Sequence, residues 1–282
     1  MPLAEPIRII SDIHFGHPAS VVEKPESLTP LFRDAATVVF NGDTVELRFL
    51  RGRAQGKHNA ETVRRLCTEN GTHPLFINGN HDPIISKENH LDLVNGAVLV
   101  THGDMLFHDI SPWGIEAEII GEAHTKALAE LHEDAFHDFE QRLSATKRAS
   151  LAVELHRPHI PRGPLAPLAT IVRECWPPWR PLQIIKCWLQ LPARAEGLAR
   201  VFRPRARTII VGHTHFSGVW RRGPRIIINT GSFLSAIGGR SMVDIVGDRV
   251  TLRKIFRRGD TFEPGAEIET FTATKLKPHE GF

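Results

Sequence analysis

The chain has 282 residues, 41% apolar and 24% charged, with a formal net charge of +3 at pH 7. That length allows one large domain or a domain carrying a sizeable insertion, and the composition is that of an ordinary soluble globular protein. A charge so near balance gives no general argument for nucleic acid. Cys67, Cys175 and Cys187 are an odd set with no close ligand spacing, which excludes a disulfide framework and fits a reducing compartment. No apolar run approaches the roughly 18 residues that span a bilayer. No basic-then-apolar leader opens the chain, so a soluble, cytoplasmic protein is expected.

In chain order, Ile7 to Ile10 predicts a strand, Ser27 to Ala35 a short helix and Thr37 to Phe40 a second strand. Asn59 to Glu69 predicts a helix closed by Asn70-Gly71, a suitable C-cap pair. Pro74 to Ile77 is the third strand. Leu91 to Val94 and Ala97 to Thr101 flank Asn95-Gly96, a two-residue hairpin signal. Ile115 to Leu155 has helical periodicity and no Pro, and predicts one or two long helices. Pro158 to Pro204 is Pro-rich and carries Trp176, Trp179 and Trp188. Strands resume at Thr208 and continue through Arg225 to Asn229, Ser241 to Val246 and Val250 to Phe256. The segment after Gly259 is polar. This pattern predicts an α/β layered core at 1–104 and 206–258, a helical cap insert at 105–205 and a C-terminal tail at 259–282.

Five of these strands end in metal-ligand chemistry. The motifs are Asp12-Ile13-His14, Gly42-Asp43, Gly79-Asn80-His81-Asp82, His102-Gly103-Asp104 and Gly212-His213-Thr214-His215. Ligands at strand ends are expected to converge on one edge of a sheet. A mixed oxygen and imidazole set of this size suits two divalent ions such as Mn, Fe, Zn or Ni, with Mn the choice in vitro. One Asp or His after a strand is more often a turn residue or cap. Five motifs together are a site.

This ordered set resembles the calcineurin-like metallophosphoesterases over residues 6–104 and 206–256, outside the insert. The resemblance implies a four-layer α/β/β/α sandwich with a helical cap insertion. It implies that Asp12, His14 and His215 hold one metal, that Asn80, His102 and His213 hold the other, and that Asp43 bridges both. Two ions about 3.5–4 Å apart need such a shared anionic oxygen. The implied reaction is hydrolysis of a phosphoester or pyrophosphate bond by metal-bound hydroxide. His81 is similar to the family's catalytic histidine, which stabilises the transferring group and protonates the leaving oxygen. Glu46, in Gly-Asp-x-x-Glu, stands where many members carry an acid that orients this imidazole. Asp82 and Asp104 are candidate partners of the ligands. His17 and Arg48 are candidate substrate contacts, although Arg48, Arg51 and Arg53 fit a solvated loop better. His124, His132 and His137 read as surface residues.

Residues 171–207 hold eight Lys or Arg against two Glu, a net of +6, together with three of the five Trp. Basic residues interleaved with Trp suit an anionic lipid surface or an acyl chain, hence peripheral membrane contact. They also suit single-stranded nucleic acid, which is not favoured. The plainer reading has the Trp packing the insert onto the core while the Arg face water. The insert and the Gly-Asp-x-x-Glu variant resemble the UDP-2,3-diacylglucosamine pyrophosphatases of lipid A synthesis. His81 departs from them, since their commonest form has Arg there. The expected partner is therefore a phosphorylated small-molecule or lipid-linked substrate. A nuclease and a non-catalytic scaffold on the same fold are the alternatives.

Overall fold

The computed structural model describes residues 2–48, 53–114, 116–152, 178–234 and 239–274. Its strands are β1 (Ile7–Ile10), β2 (Thr37–Asn41), β3 (His73–Ile77), β4 (His90–Leu93), β5 (Val98–Thr101), β6 (Thr208–Val211), β7 (Gly218–Arg222), β8 (Arg225–Asn229), β9 (Ser241–Val246), β10 (Arg249–Arg258) and β11 (Thr261–Thr272). They form two sheets, ordered β11-β10-β9-β1-β2-β3 and β4-β5-β6-β8-β7. In the first, β1, β2 and β3 are parallel neighbours. In the second, β5, β6 and β8 are.

Successive strand side chains point to opposite faces. Here both sets are apolar. Ile7, Ile9, Val39 and Ile77 face Val98, Val100, Ile210, Ile226 and Ile228 between the sheets. The alternate residues Ile10, Val38, Phe40 and Phe76 turn outward, as do Leu99, Ile209, Val211 and Ile227 of the other sheet. A sheet apolar on both faces must be covered on both.

Helix α1 (Arg53–Glu69) covers the first outer face through Val63, Leu66 and Cys67, aided by Leu28 and Leu31 of a short 3-10 turn at Pro25–Leu31. It ends as expected at Asn70-Gly71, where Gly71 takes φ 74° and the Thr72 amide donates back to Cys67. The insert holds α2 (Ala117–Ala129), α3 (Glu133–Phe136) and α4 (Phe139–Leu151), followed by α5 (Arg180–Phe202). Cys187, Leu191, Ala195 and Ala199 of α5 cover the second outer face, beside Phe139 and Leu143 of α4. The order of layers is therefore α/β/β/α.

Several expectations need correction. The 105–205 region is not all cap, because α5 is itself the fourth layer of the core. Its Pro181 sits in the first turn, where no amide partner is lost, so the Pro-rich composition concealed a 23-residue helix. The 259–282 tail is corrected too: β11 pairs with β10 along most of its length. Strand β7 was not foreseen. The predicted helix at Ser27 to Ala35 is the shorter 3-10 turn, and the described part of 115–155, residues 116–152, holds three helices rather than one or two long ones. Trp176 lies outside the described residues.

Phe262 shows why β11 belongs to the core. It is 1% exposed and meets Phe233 edge-on at 5.1 Å. Phe262→Ala should cost about 3–5 kcal/mol of unfolding free energy in chemical denaturation. A tail residue would cost almost nothing.

Candidate metal centre

The motifs meet, but not on one sheet edge. Asp12 and His14 follow β1, Asp43 and Glu46 follow β2, and Asn80 and His81 follow β3, while His102 follows β5 and His213 and His215 follow β6. The site straddles the carboxyl ends of two sheets. Cross-sheet hydrogen bonds lock the halves: the Asn41 amide donates to the Thr101 carbonyl at 3.0 Å, and the His213 backbone N–H donates to the Asp12 carboxylate at 3.0 Å.

Ligand atoms of Asp12, His14, Asp43 and His215 lie within 4.8 Å of one another, as do those of Asp43, His102 and His213. Asp43 belongs to both groups, and Asn80 Oδ1 is 3.1 Å from His102 Nε2. All are buried except His215, which is half-buried. A third group, His14, Glu46 and His81, shares His14 with the first.

The tautomers show whether a cation fits. His102 Nδ1 donates to the Asn41 carbonyl at 3.0 Å, leaving Nε2 bare in the neutral ring. That bare nitrogen faces Asp43 Oδ2 at 3.3 Å. His213 Nε2 donates to the Ile110 carbonyl at 2.7 Å. Its Nδ1 is buried and has no hydrogen-bond partner. His14 Nδ1 donates to Glu46 at 2.9 Å, which turns its Nε2 toward Asp43 Oδ2 at 3.6 Å and His215 Nε2 at 3.3 Å. Lone pairs thus converge on two points, where only protons or cations relieve them. The donor set suits a borderline divalent ion at each.

The backbone is bent to achieve this. Asp12, His14, Asp43, His213 and His215 all have left-handed φ, between 50° and 70°, a region non-glycine residues rarely occupy. Such strain gathers at functional sites. Two motif glycines keep space for carboxylates: a Cβ on Gly79 would lie 2.1 Å from Asp43 Oδ1, and one on Gly212 would lie 2.2 Å from Asp12 Oδ2. Asp82 holds the β2 loop, accepting from the amides of Asp43 (2.9 Å), Thr44 (2.6 Å) and Gly79 (2.9 Å). Burial, then the charge of Asp43, pushes Asp82 up to about 6.

Burial alone would lower the imidazoles, but neighbouring carboxylates outweigh it. Glu46 and Asp43 raise His14 to about 9, and Asp43 raises His102 to about 10. His213, buried and beside His102, falls to about 4. Burial would raise the acids, yet the histidines hold Asp12 and Asp43 below the ordinary carboxylate range and Glu46 at about 2. Raised imidazoles beside lowered carboxylates are groups that pair, each stabilising the charged form of the other.

Glu46 spans two imidazoles. One oxygen takes His14 Nδ1 at 2.9 Å and the other takes His81 Nδ1 at 2.9 Å. A candidate ligand and the candidate general acid therefore share one anchor. Arg48 is buried, not in a solvated loop, and reaches the Asn80 carbonyl at 3.4 Å. Arg53 is half-buried on α1, and Arg51 lies outside the described residues. His17 sits 6.0 Å from the His14 ring, and burial lowers it to about 4, so it is neutral. His124 is a correction. It is buried, with one nitrogen on the His108 carbonyl and the other on Thr146. His132 and His137 are exposed, as expected.

The structure adds residues that sequence reasoning missed. Lys147 of α4 meets Asp104 at 2.6 Å, both buried. Ile110, β-branched yet at φ 58°, supplies the carbonyl that orients His213. Trp113 lies 5.2 Å from the His213 ring. Only Lys147 left a signal, as a charge in a helical stretch that also holds Ala145, Ala149 and Ser150.

No family model matches the chain, and no curated protein matches it. Solved structures similar to it include a dimetal phosphatase from Danio rerio, 14% identical, covering 97% of this chain and 100% of that one at a TM-score of 0.46. Vacuolar protein sorting 29 from Cryptosporidium parvum is 12% identical, with 94% and 97% covered and a TM-score of 0.44. A predicted phosphoesterase from Streptococcus pneumoniae is 15% identical, with 94% and 96% covered and a TM-score of 0.39. At these scores the likenesses carry no argument, and the reading of the site rests on its own geometry.

The shifts fix the sign of a pH dependence. In metal-free protein, raised His14 and His102 add stability below pH 6.5, and it is lost as pH rises through about 9 and 10. Cations must displace these protons. Metal affinity should therefore climb with pH toward about 9, with about two protons released at neutral pH, measured by titration calorimetry in buffers of different ionisation heat. An affinity flat across that range would contradict the assignment.

Proposed function

We propose that the chain is a two-metal phosphoesterase of the calcineurin-like kind, hydrolysing a phosphoester or pyrophosphate bond. The observation that carries this reading is the pair of lone-pair clusters sharing Asp43, with bare His102 Nε2 and His213 Nδ1 aimed into one of them. Asp12, His14, Asp43 and His215 would hold one ion, and Asp43, Asn80, His102 and His213 the other. Divalent ions in such a pair neutralise phosphoryl oxygens and lower the pKa of water.

The chain's own residues supply the rest. Glu46 fixes the His81 tautomer by accepting from Nδ1, so Nε2 is the nitrogen free to carry a proton to the leaving oxygen. His81 is less buried than Glu46, at 22% against 3% side-chain exposure, as a group that meets substrate must be. Arg48 adds buried positive charge beside Asn80, which favours an anionic substrate. His17, 6.0 Å from the His14 ring, would contact the substrate.

The decisive assay compares initial rates in Mn²⁺ on an aryl phosphomonoester, an aryl phosphodiester, single-stranded DNA and a detergent-dispersed UDP-diacylglucosamine. Turnover of any of them supports the phosphoesterase reading. Preference for the lipid pyrophosphate or for DNA selects that finer reading. A protein that binds no stoichiometric metal and turns over none is a scaffold. Within the active enzyme, His81→Ala should lower kcat about 10²–10⁴-fold with metal content unchanged by elemental analysis. Asp43→Ala should lose metal and activity together. Full activity in His81→Ala would remove the role given to that residue.

A further inference from the structure

We infer that the outward face of α5 docks onto an anionic lipid surface, holding the metal centre beside the membrane. The inference stands on the surface of α5 and not on the catalytic reading.

A helix that covers a sheet should be polar on its other side. The inner side of α5 is conventional: Cys187, Leu191, Ala195 and Ala199 are buried. The outer side is not. Trp179 at the N-cap is 64% exposed, Leu182 68%, Ile185 46% and Leu189 77%. Steps of three, three and four residues keep these side chains on one side of a helix. Four large apolar groups on one short stretch make a patch and not scattered exposure.

The charges around the patch choose the occupant. Lys186 lies within it and Arg200 continues the exposed side toward the C-terminus, while Arg194 turns to the Leu106 carbonyl at 2.8 Å and lies over Phe107. Glu196, the single acid of α5, is engaged by Arg225 at 3.0 Å. Arg205 and Arg207, just beyond the helix, are also exposed. Apolar side chains that insert and cations that meet headgroups are the two signals of reversible binding to anionic membranes. A second copy of the chain would bring two cationic faces together, and nucleic acid leaves aliphatic Leu182 and Leu189 without a partner. Among the described residues no helix is long and apolar enough to cross a membrane, so binding is peripheral.

The patch is tied to the site. Trp188, one residue from Leu189, donates its indole N–H to the Thr214 carbonyl at 2.8 Å and stacks on Phe216 at 4.6 Å. Thr214 lies between His213 and His215. A lipid surface held by α5 therefore lies next to the loop carrying these candidate ligands, which suits a substrate whose phosphoryl group sits at the headgroup level.

The test is co-sedimentation of the full chain, in chelator, with phosphatidylcholine vesicles and with vesicles half phosphatidylglycerol. The expected result is binding to the anionic vesicles, weakened by salt and at least about tenfold stronger than to the neutral ones. Leu182→Glu with Leu189→Glu should reduce it by about tenfold or more. The same double variant should keep its circular dichroism and its wild-type activity on a soluble aryl phosphate. Failure of the wild type to bind anionic vesicles overturns the proposal, as does equal binding by the double variant. A dimer in sedimentation velocity that the double variant dissolves, without vesicle binding, assigns the face to a second copy instead. Because binding is read without metal or substrate, an inactive protein that binds vesicles would refute the phosphoesterase reading alone.

Discussion

Asp43 is the constraint on which the site depends. Its carboxylate is 3.3 Å from His102 Nε2 and 3.6 Å from His14 Nε2, and its other oxygen accepts the His81 amide at 2.7 Å. Three of the four candidate imidazole ligands are oriented from behind: Asn41 holds His102, Glu46 holds His14 and Ile110 holds His213. Acceptors forced together this way repel unless positive charge lies between them. Left-handed backbone at five ligand residues adds about 1–3 kcal/mol each. Two fully packed sheets hold that arrangement in place, and bound cations would relieve it. The same proximity explains why the raised imidazoles and lowered carboxylates lie side by side: in the metal-free protein each favours the charged form of the other.

Glu46 links binding to chemistry. A carboxylate that held only His81 would set its tautomer and nothing more. Here the second oxygen orients His14, so the candidate acid and a candidate ligand answer to one group. A charge change at Glu46 would disturb both. Its neighbours supply part of the balance: burial lowers Arg48, and the charges of Asp43 and Glu46 oppose that shift. The buried charges of this half of the site form a network in which no member is independent.

The candidate ligands were legible because each is short-range chemistry at the end of an apolar run, and a run of Val and Ile such as Ile7 to Ile10 can hardly be anything but strand. What could not be read was tertiary. Whether β5 lies in the same sheet as β2 depends on pairing partners, which the local pattern does not carry. β11 has Pro264, Gly265 and several Glu, and reads as a tail because Phe262 alone of its side chains is fully buried. α5 was hidden by Pro181 and Pro192, and by an apolar pattern that runs around both sides. Arg48 and His124 were read as exposed on residue type. Their burial follows from what packs over them, which no spacing predicts.

The insert is consequently less separate than its composition suggests. Lys147 from α4 neutralises Asp104 two residues after His102, and removing one partner of a buried pair leaves a charge that costs about 3–5 kcal/mol. Asp104 begins the loop that supplies Ile110 to His213 and Ser111 to Asn80, the latter at 3.4 Å. Trp188 from α5 reaches Thr214 on the opposite side. Two helices from the insert thus grip the two loops that carry His102 and His213. A shift of the insert by a fraction of an ångström would be felt at both nitrogens. Whatever α5 binds on its outer face is then connected through Trp188 to the loop that carries His213 and His215.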